Sequence, residues 1–211
     1  HLDALITHLM DKNEFNRLIP VPTLSADDCN YSPEGVYWLG GVWAPTNYMI
    51  TRGLMLAERR DIAHEIATKY LDALCRVYKH VVPHTLWECY APEYDLPGLA
   101  AYSHKRVKGD FVGWTGVGPI AMLIENVIGI DANVPAGQII WDIRLLSEHG
   151  VKNLAFGKGQ RVDLLCHKRL SGFDIAKVEI TSTVPFNLIL RCAGRVRRYK
   201  VKADTRNYFA V

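Results

Sequence analysis

The chain has 211 residues, of which 49% are hydrophobic and 22% are charged, a length that suits one or two domains. This composition is close to the globular average, which excludes disordered, collagen-like and coiled-coil proteins. No apolar run approaches the ~20 residues that span a bilayer, and a net charge of +3 is too small to indicate a nucleic-acid or membrane partner.

Helices are predicted in the first two-thirds of the chain, where apolar residues recur every three or four positions. These segments cover residues 2–15, 46–57, 61–82 and 119–128. The third is the clearest, with a wide apolar stripe that ends before Pro83. Two irregular stretches, 18–43 and 84–116, separate the helices, since prolines and paired glycines interrupt them.

The pattern changes after Asp131, and the rest of the chain predicts strands. Six short segments are rich in β-branched residues and are separated by glycine-containing turns, over residues 138–145, 151–156, 161–167, 177–183, 186–192 and 195–202. We therefore expect a helical part over residues 1–131 and a small antiparallel, β-sandwich-like domain over residues 132–211.

The two irregular stretches are the candidate site, because loops longer than ~15 residues are usually functional or disordered. They are not disordered in composition, since they hold four of the five tryptophans and several tyrosines. Aromatic faces mixed with carboxylates are suited to sugars, whose C–H faces pack on rings while hydroxyls bond to charged groups. The alternative is that these aromatic residues close one end of a helical bundle.

Three motifs occur in order in these stretches: Val36-Tyr37-Trp38-Leu39-Gly40-Gly41-Val42-Trp43-Ala44-Pro45-Thr46-Asn47-Tyr48, Thr85-Leu86-Trp87-Glu88-Cys89-Tyr90 and Asp110-Phe111-Val112-Gly113-Trp114-Thr115. The series resembles the C-terminal part of the (α/α)6-barrel glycoside hydrolases related to trehalase, processing α-glucosidase and mannosylglycerate hydrolase. The resemblance implies a mainly α fold, an incomplete (α/α)6 toroid, followed by the small antiparallel β domain. It also implies that His1 lies inside the barrel, so the partners expected are the N-terminal part of the same barrel and a carbohydrate substrate.

The same resemblance implies an inverting mechanism, in which one carboxyl protonates the leaving oxygen and another activates a water. Glu88 matches the general base of the family's Glu-x-Tyr element, and nothing in the chain matches its general acid, which is expected upstream. Glu93, Asp95 and Asp110 are the other carboxylates close in sequence. We do not expect any of them to serve as that acid.

The substrate-binding residues expected beside Glu88 are mostly aromatic: Trp38, Trp43, Asn47, Trp87, Tyr90 and Trp114. The predicted function is cleavage of an α-linked gluco- or manno-type glycoside by a fragment of such an enzyme, which alone lacks the general acid. The alternative is a non-catalytic carbohydrate-binding or scaffold protein with the same aromatic cleft.

No cofactor or metal is expected, because the family's acid–base chemistry needs none and the five cysteines show no CxxC spacing. Unpaired cysteines in odd number favour a reducing compartment, such as the cytoplasm. The basic segment at residues 191–206 is interpreted as a strand with a solvated face rather than a nucleic-acid site.

Overall fold

The computed structural model describes all residues 1–211 and divides them into two compact units, His1–Leu123 and Ile124–Val211. The first unit contains four α-helices: α1 (Leu2–Met10), α2 (Ala44–Leu56), α3 (Arg60–His80) and α4 (Trp114–Met122). A π-helical segment, Leu123–Ile128, follows α4. The eight strands are β1 (Ile130–Asn133), β2 (Gln138–Asp142), β3 (His149–Ala155), β4 (Arg161–Cys166), β5 (Lys177–Ser182), β6 (Phe186–Cys192), β7 (Arg195–Val201) and β8 (Arg206–Ala210).

Helix α3 is favoured by charged residues in its first and last turns and by one continuous apolar face. Asp61 lies in its first turn and Lys79 and His80 in its last, which complements the helix dipole. Its buried face carries small and large residues in alternation, which lets α2 pack closely against it. None of the four helices combines the length and the apolar character that crossing a membrane requires.

Helix α4 begins at Trp114, five residues before the predicted start at Pro119. The first five residues of α4 include Gly116 and Gly118, whose low helix propensity conceals this part of the helix from a sequence pattern. Gly118 allows a close approach to α2, because a Cβ there would lie only 3.1 Å from the Cβ of Ala44 at the start of that helix. The first half of α4 therefore packs closely against the start of α2.

The prediction of a mainly α fold built on an incomplete (α/α)6 toroid was wrong. The chain has four α-helices against eight strands, and no toroid of paired helices is formed. Such a toroid needs consecutive antiparallel helices joined around a ring, whereas residues 11–43 and 81–113 form turns and isolated β-bridges. The fold is therefore mixed: the first unit contains the four α-helices, and the second contains the eight strands.

The second unit contains two four-stranded sheets that share one hydrophobic core. One sheet has the order β1-β2-β6-β7, with a parallel pair between β2 and β6, and the other has the antiparallel order β3-β4-β5-β8. Period-2 alternation turns every second residue of β4, β5 and β6 into this core. Trp141 is fully buried there, and its indole N–H donates to the carbonyl of Ile128 at 2.9 Å.

Candidate active site

The backbone around Glu88 is held between two other segments of the first unit. Tyr90 exchanges two backbone hydrogen bonds with Val42, at 2.9 and 3.0 Å, in an isolated antiparallel bridge. The N–H of Glu88 donates to the carbonyl of Lys108 at 3.0 Å. The two irregular stretches predicted from sequence are therefore joined at the position of Glu88.

The start of α4 is also anchored to Glu88. The indole N–H of Trp114 lies 3.2 Å from the carbonyl oxygen of Glu88, and the Thr115 hydroxyl lies 3.4 Å from the same atom. Thr115 is fully buried, so its hydroxyl contributes to positioning and not to solvent contact. These two bonds bring the third sequence motif onto the second.

The Glu88 side chain is half-buried, and its Oε1 lies 3.5 Å from the hydroxyl of Tyr37. That separation is at the outer limit of a hydrogen bond, so the contact is mainly electrostatic. Burial and the negative charge of Glu88 both raise the pKa of Tyr37. Tyr37 therefore stays protonated and faces the carboxylate with a hydroxyl group.

An aromatic cluster contacts Glu88 through Tyr37 and Trp114; it consists of Tyr37, Trp38, Trp43, Phe111 and Trp114. Trp43 is its centre, because Trp38 stacks on it at 4.4 Å with an interplanar angle of 8°, and Tyr37 contacts it edge-on at 4.8 Å. Trp114 packs against both Trp43 and Phe111. Trp43 is 1% exposed whereas Trp38 is 55% exposed, so the stacked pair presents one open indole face.

A tight turn folds Trp38 back onto Trp43. Gly40 has φ of 116°, a conformation that L side chains rarely adopt, and Tyr37 itself has a positive φ of 48°. At Gly41 a Cβ would lie 2.2 Å from the carbonyl oxygen of Tyr37. The paired glycines are therefore required for the turn that assembles the aromatic cluster.

Four of the predicted site residues are buried: Trp43, Asn47, Trp87 and Tyr90. The hydroxyl of Tyr90 accepts a hydrogen bond from the backbone N–H of Trp87 at 3.2 Å, and burial raises the pKa of Tyr90 to about 12. Asn47 is fully buried and donates to the carbonyls of Trp43 and Pro20 at 3.2 and 3.3 Å. The predicted site therefore divides into exposed residues (Trp38 and Trp114), half-buried Glu88, and a buried layer: Trp43, Asn47, Trp87 and Tyr90.

Two residues that contact Glu88 were not selected by the sequence analysis. Tyr37 faces its carboxylate and Thr115 bonds to its backbone, and both lie inside the quoted motifs. The sequence did offer a signal for Tyr37, because this tyrosine immediately precedes Trp38, one of the expected substrate-binding residues. The sequence offered no signal for Thr115, because its hydroxyl donates a hydrogen bond to the carbonyl of a residue distant in sequence.

The other carboxylates near Glu88 in sequence each have a partner of their own. Asp95 forms an ion pair with Arg76 at 2.9 Å, and Asp110 accepts a hydrogen bond from the Thr85 hydroxyl at 2.6 Å. Glu93 accepts hydrogen bonds from the Arg17 guanidinium and, at 2.6 Å, from the Tyr31 hydroxyl. Burial tends to raise the pKa of Glu93, but these two donors and the charge of Arg17 lower it overall.

The Glu93 network makes the stability of the first unit pH-dependent. A carboxyl with a lowered folded-state pKa stabilises the fold above its unfolded-state pKa, and this contribution is lost as the pH falls through the folded-state value. We expect Glu93→Gln to lower the free energy of unfolding by about 2 kcal/mol at pH 7, and the deficit to shrink below about pH 4. Urea unfolding at pH 7 and pH 3 measures this, with Glu34→Gln in an exposed turn as the control. A deficit independent of pH would contradict it.

No group of three His, Cys, Asp or Glu side chains in the structure is arranged to hold a metal ion. Two concavities of about 410 and 420 Å³ lie elsewhere, on the strands of the second unit. The candidate active site is an aromatic surface, open to solvent at Trp38 and Trp114, next to the Glu88 carboxylate.

Comparison with known proteins gives two findings. Residues 1–105 match the family model of the mannosylglycerate hydrolase MGH1-like glycoside hydrolase domain. A protein of Borreliella burgdorferi described as uncharacterized is 27% identical over 179 residues, which cover 82% of this chain and 37% of that protein. The chain thus spans about a third of the length of the curated relative it matches. The matched residues contain Glu88 and most of the aromatic cluster, so this part of the chain is similar to a glycoside hydrolase domain.

Proposed function

We propose that the first unit contributes the general base to the active site of an inverting glycoside hydrolase that cleaves α-linked gluco- or manno-type glycosides. The observation that carries the proposal is the position of Glu88. Its carboxylate is half-buried beside the Tyr37 hydroxyl and next to a cluster whose outer member, Trp38, offers an open indole face. The glycoside hydrolase match over residues 1–105 supports the same class of reaction.

The chemistry assigned to Glu88 is proton abstraction from a water molecule. As the water oxygen forms a bond to the anomeric carbon, the bond from that carbon to the leaving oxygen breaks, and a second carboxyl protonates the leaving oxygen. The Tyr37 hydroxyl orients the carboxylate, and the bonds from Trp114 and Thr115 to the Glu88 carbonyl fix its backbone. The exposed face of Trp38 supplies a surface on which a pyranose ring packs.

We place the general acid outside this chain, in a preceding part of the protein. The carboxylates close to Glu88 in sequence support this placement, because Glu93, Asp95 and Asp110 already bond to Arg17, Arg76 and Thr85. An inverting pair also needs a separation of about 6.5–9.5 Å, which leaves room for the water. The carbohydrate substrate would therefore lie between Glu88 and a carboxyl from another segment.

The stereochemistry of the product tests the proposal. Protein expressed from the complete coding sequence is mixed with α-linked glucosides and mannosides, and proton NMR follows the anomeric signals. An inverting enzyme releases the β-anomer first, and the α-anomer grows only by mutarotation. Initial release of the α-anomer would contradict the inverting mechanism. Saturable sugar binding without hydrolysis of any substrate would favour the non-catalytic alternative.

A further inference from the structure

The outer face of the sheet β3-β4-β5-β8 carries two adjacent concavities. Their volumes are about 410 Å³ and 420 Å³, and both are lined by Asp163, Thr181 and Arg206. Volumes of about 300–1,000 Å³ are typical of small-molecule sites. The two concavities form one continuous surface feature, which we name the strand groove.

Strand register explains why these side chains meet on one face. Asp163, Thr181 and Arg206 are direct neighbours across β4, β5 and β8. The residues that alternate with them on β4 and β5 are buried in the core, so this row points outward. The adjacent outward row consists of Leu165, Glu179 and Tyr208.

The polar groups of the strand groove are held in place before any ligand binds. Glu179 pairs with Arg206 at 3.0 Å, and the Asp163 carboxylate accepts bonds from the Thr181 hydroxyl at 3.4 Å and from the Asn153 N–H at 2.7 Å. A carboxylate has about four acceptor positions and a guanidinium has five donors, so both retain capacity for further hydrogen bonds. Such groups bind a ligand without the entropy cost of ordering them.

The charged residues that line the strand groove indicate which class of ligand it binds. In the first concavity Arg161 and Arg206 balance Asp163 and Asp204, whereas a phosphate site would carry a clear excess of positive charge. In the second concavity the acidic residues exceed the basic ones by one. The remaining lining adds the hydroxyls of Thr181, Thr183 and Thr205. Paired charges with hydroxyls match a neutral ligand that both donates and accepts many hydrogen bonds.

Apolar surface lies beside these polar groups, as a sugar ring requires. Tyr208 is 64% exposed and stands opposite Glu179 in the register. Leu165, on the other side of Glu179, is half-buried. A pyranose needs an aromatic or aliphatic face together with carboxylate and guanidinium partners for its hydroxyls. We infer that the strand groove is a second carbohydrate-binding site, separate from the surface around Glu88, that takes a neutral oligosaccharide.

Hydrogen exchange with mass spectrometry tests this inference, because it reports each unit of the chain separately. The protein, expressed from its complete coding sequence with Glu88→Gln to prevent turnover, is titrated with maltotriose, with α-1,2-mannobiose and with inorganic phosphate. We expect at least one sugar to protect peptides from β4, β5 and β8 in a saturable way, and phosphate to leave them unchanged. Protection by phosphate alone, or by none of the probes, would overturn the inference.

Two variants assign that protection to the strand groove. Tyr208→Ala removes the exposed ring and Thr181→Val removes a hydroxyl at nearly constant shape, and each is expected to weaken sugar binding at the groove about tenfold. Tyr102→Ala, a fully exposed tyrosine in the first unit, is the matched control and should leave that affinity unchanged. Because Glu88 is already replaced, loss of hydrolysis does not affect this readout, and loss of groove binding leaves the proposed function untouched. Unaltered sugar binding in both groove variants, or a change of oligomeric state in sedimentation caused by Tyr208→Ala, would contradict a sugar site here.

Discussion

Glu88→Gln is expected to lower kcat by about 10²- to 10⁴-fold, the range that a general base contributes. Glutamine keeps the shape of the side chain but cannot accept a proton from the attacking water. The bonds from Trp114 and Thr115 reach the backbone carbonyl of residue 88 and not its carboxylate, so they survive the change. The fold around the site, and with it sugar binding, should therefore persist.

Initial rates and the Kd for sugar, measured on protein from the complete coding sequence, check this expectation. Glu34→Gln is the matched control, since Glu34 lies in an exposed turn of the same irregular stretch that contributes Trp38. It should retain full activity. Retained turnover in Glu88→Gln would remove Glu88 from the mechanism, and loss of both turnover and binding would indicate a structural role instead.

Substitution of the two stacked tryptophans should affect different properties, stability for Trp43 and sugar binding for Trp38. Trp43 is 1% exposed and contacts Tyr37, Trp38 and Trp114, so Trp43→Ala leaves a large cavity at the centre of the aromatic cluster. We expect it to lower the free energy of unfolding of the first unit by about 3–5 kcal/mol.

Trp38→Ala removes the exposed member of the same pair and should cost only about 1 kcal/mol of stability, the contribution of one aromatic stacking contact. Its main effect should be on sugar binding, weakened about tenfold through loss of the open face. Calorimetry and sugar titration on both variants separate the two effects. A Trp38→Ala protein that loses stability but keeps its sugar affinity would show that Trp38 only packs against Trp43.

The strands were predicted from sequence more readily than the helical fold. Each of β2 to β7 overlaps a segment that β-branched composition and turn residues had indicated, because alternation is a local property. β1 and β8 were missed: β1 has four residues, and β8 (Arg206–Ala210) contains no β-branched residue to indicate a strand. The parallel pairing of β2 with β6 could not be predicted, because it joins segments almost fifty residues apart.

The toroid failed as a prediction because it came from motifs and not from helix patterns. Motifs such as Trp87-Glu88-Cys89-Tyr90 report local chemistry, and the same local chemistry is compatible with more than one arrangement of helices. The irregular stretches that carry these motifs are held by single bridges, such as Val42 with Tyr90. Backbone bonds of this kind leave no periodic signal in the sequence.

The sequence by itself determined the residue types of the candidate site and their order along the chain, because these are properties of single residues and short motifs. Only the tertiary structure decided which of them meet solvent. Trp38 and Trp43 are the same residue type in the sequence. The turn at Gly40 and Gly41 stacks Trp38 on Trp43 and leaves one face of Trp38 open. Burial depends on contacts between distant segments, which no local sequence pattern records. Those contacts leave Trp38 and Trp114 exposed and Glu88 half-buried, and they bury the other four predicted site residues: Trp43, Asn47, Trp87 and Tyr90.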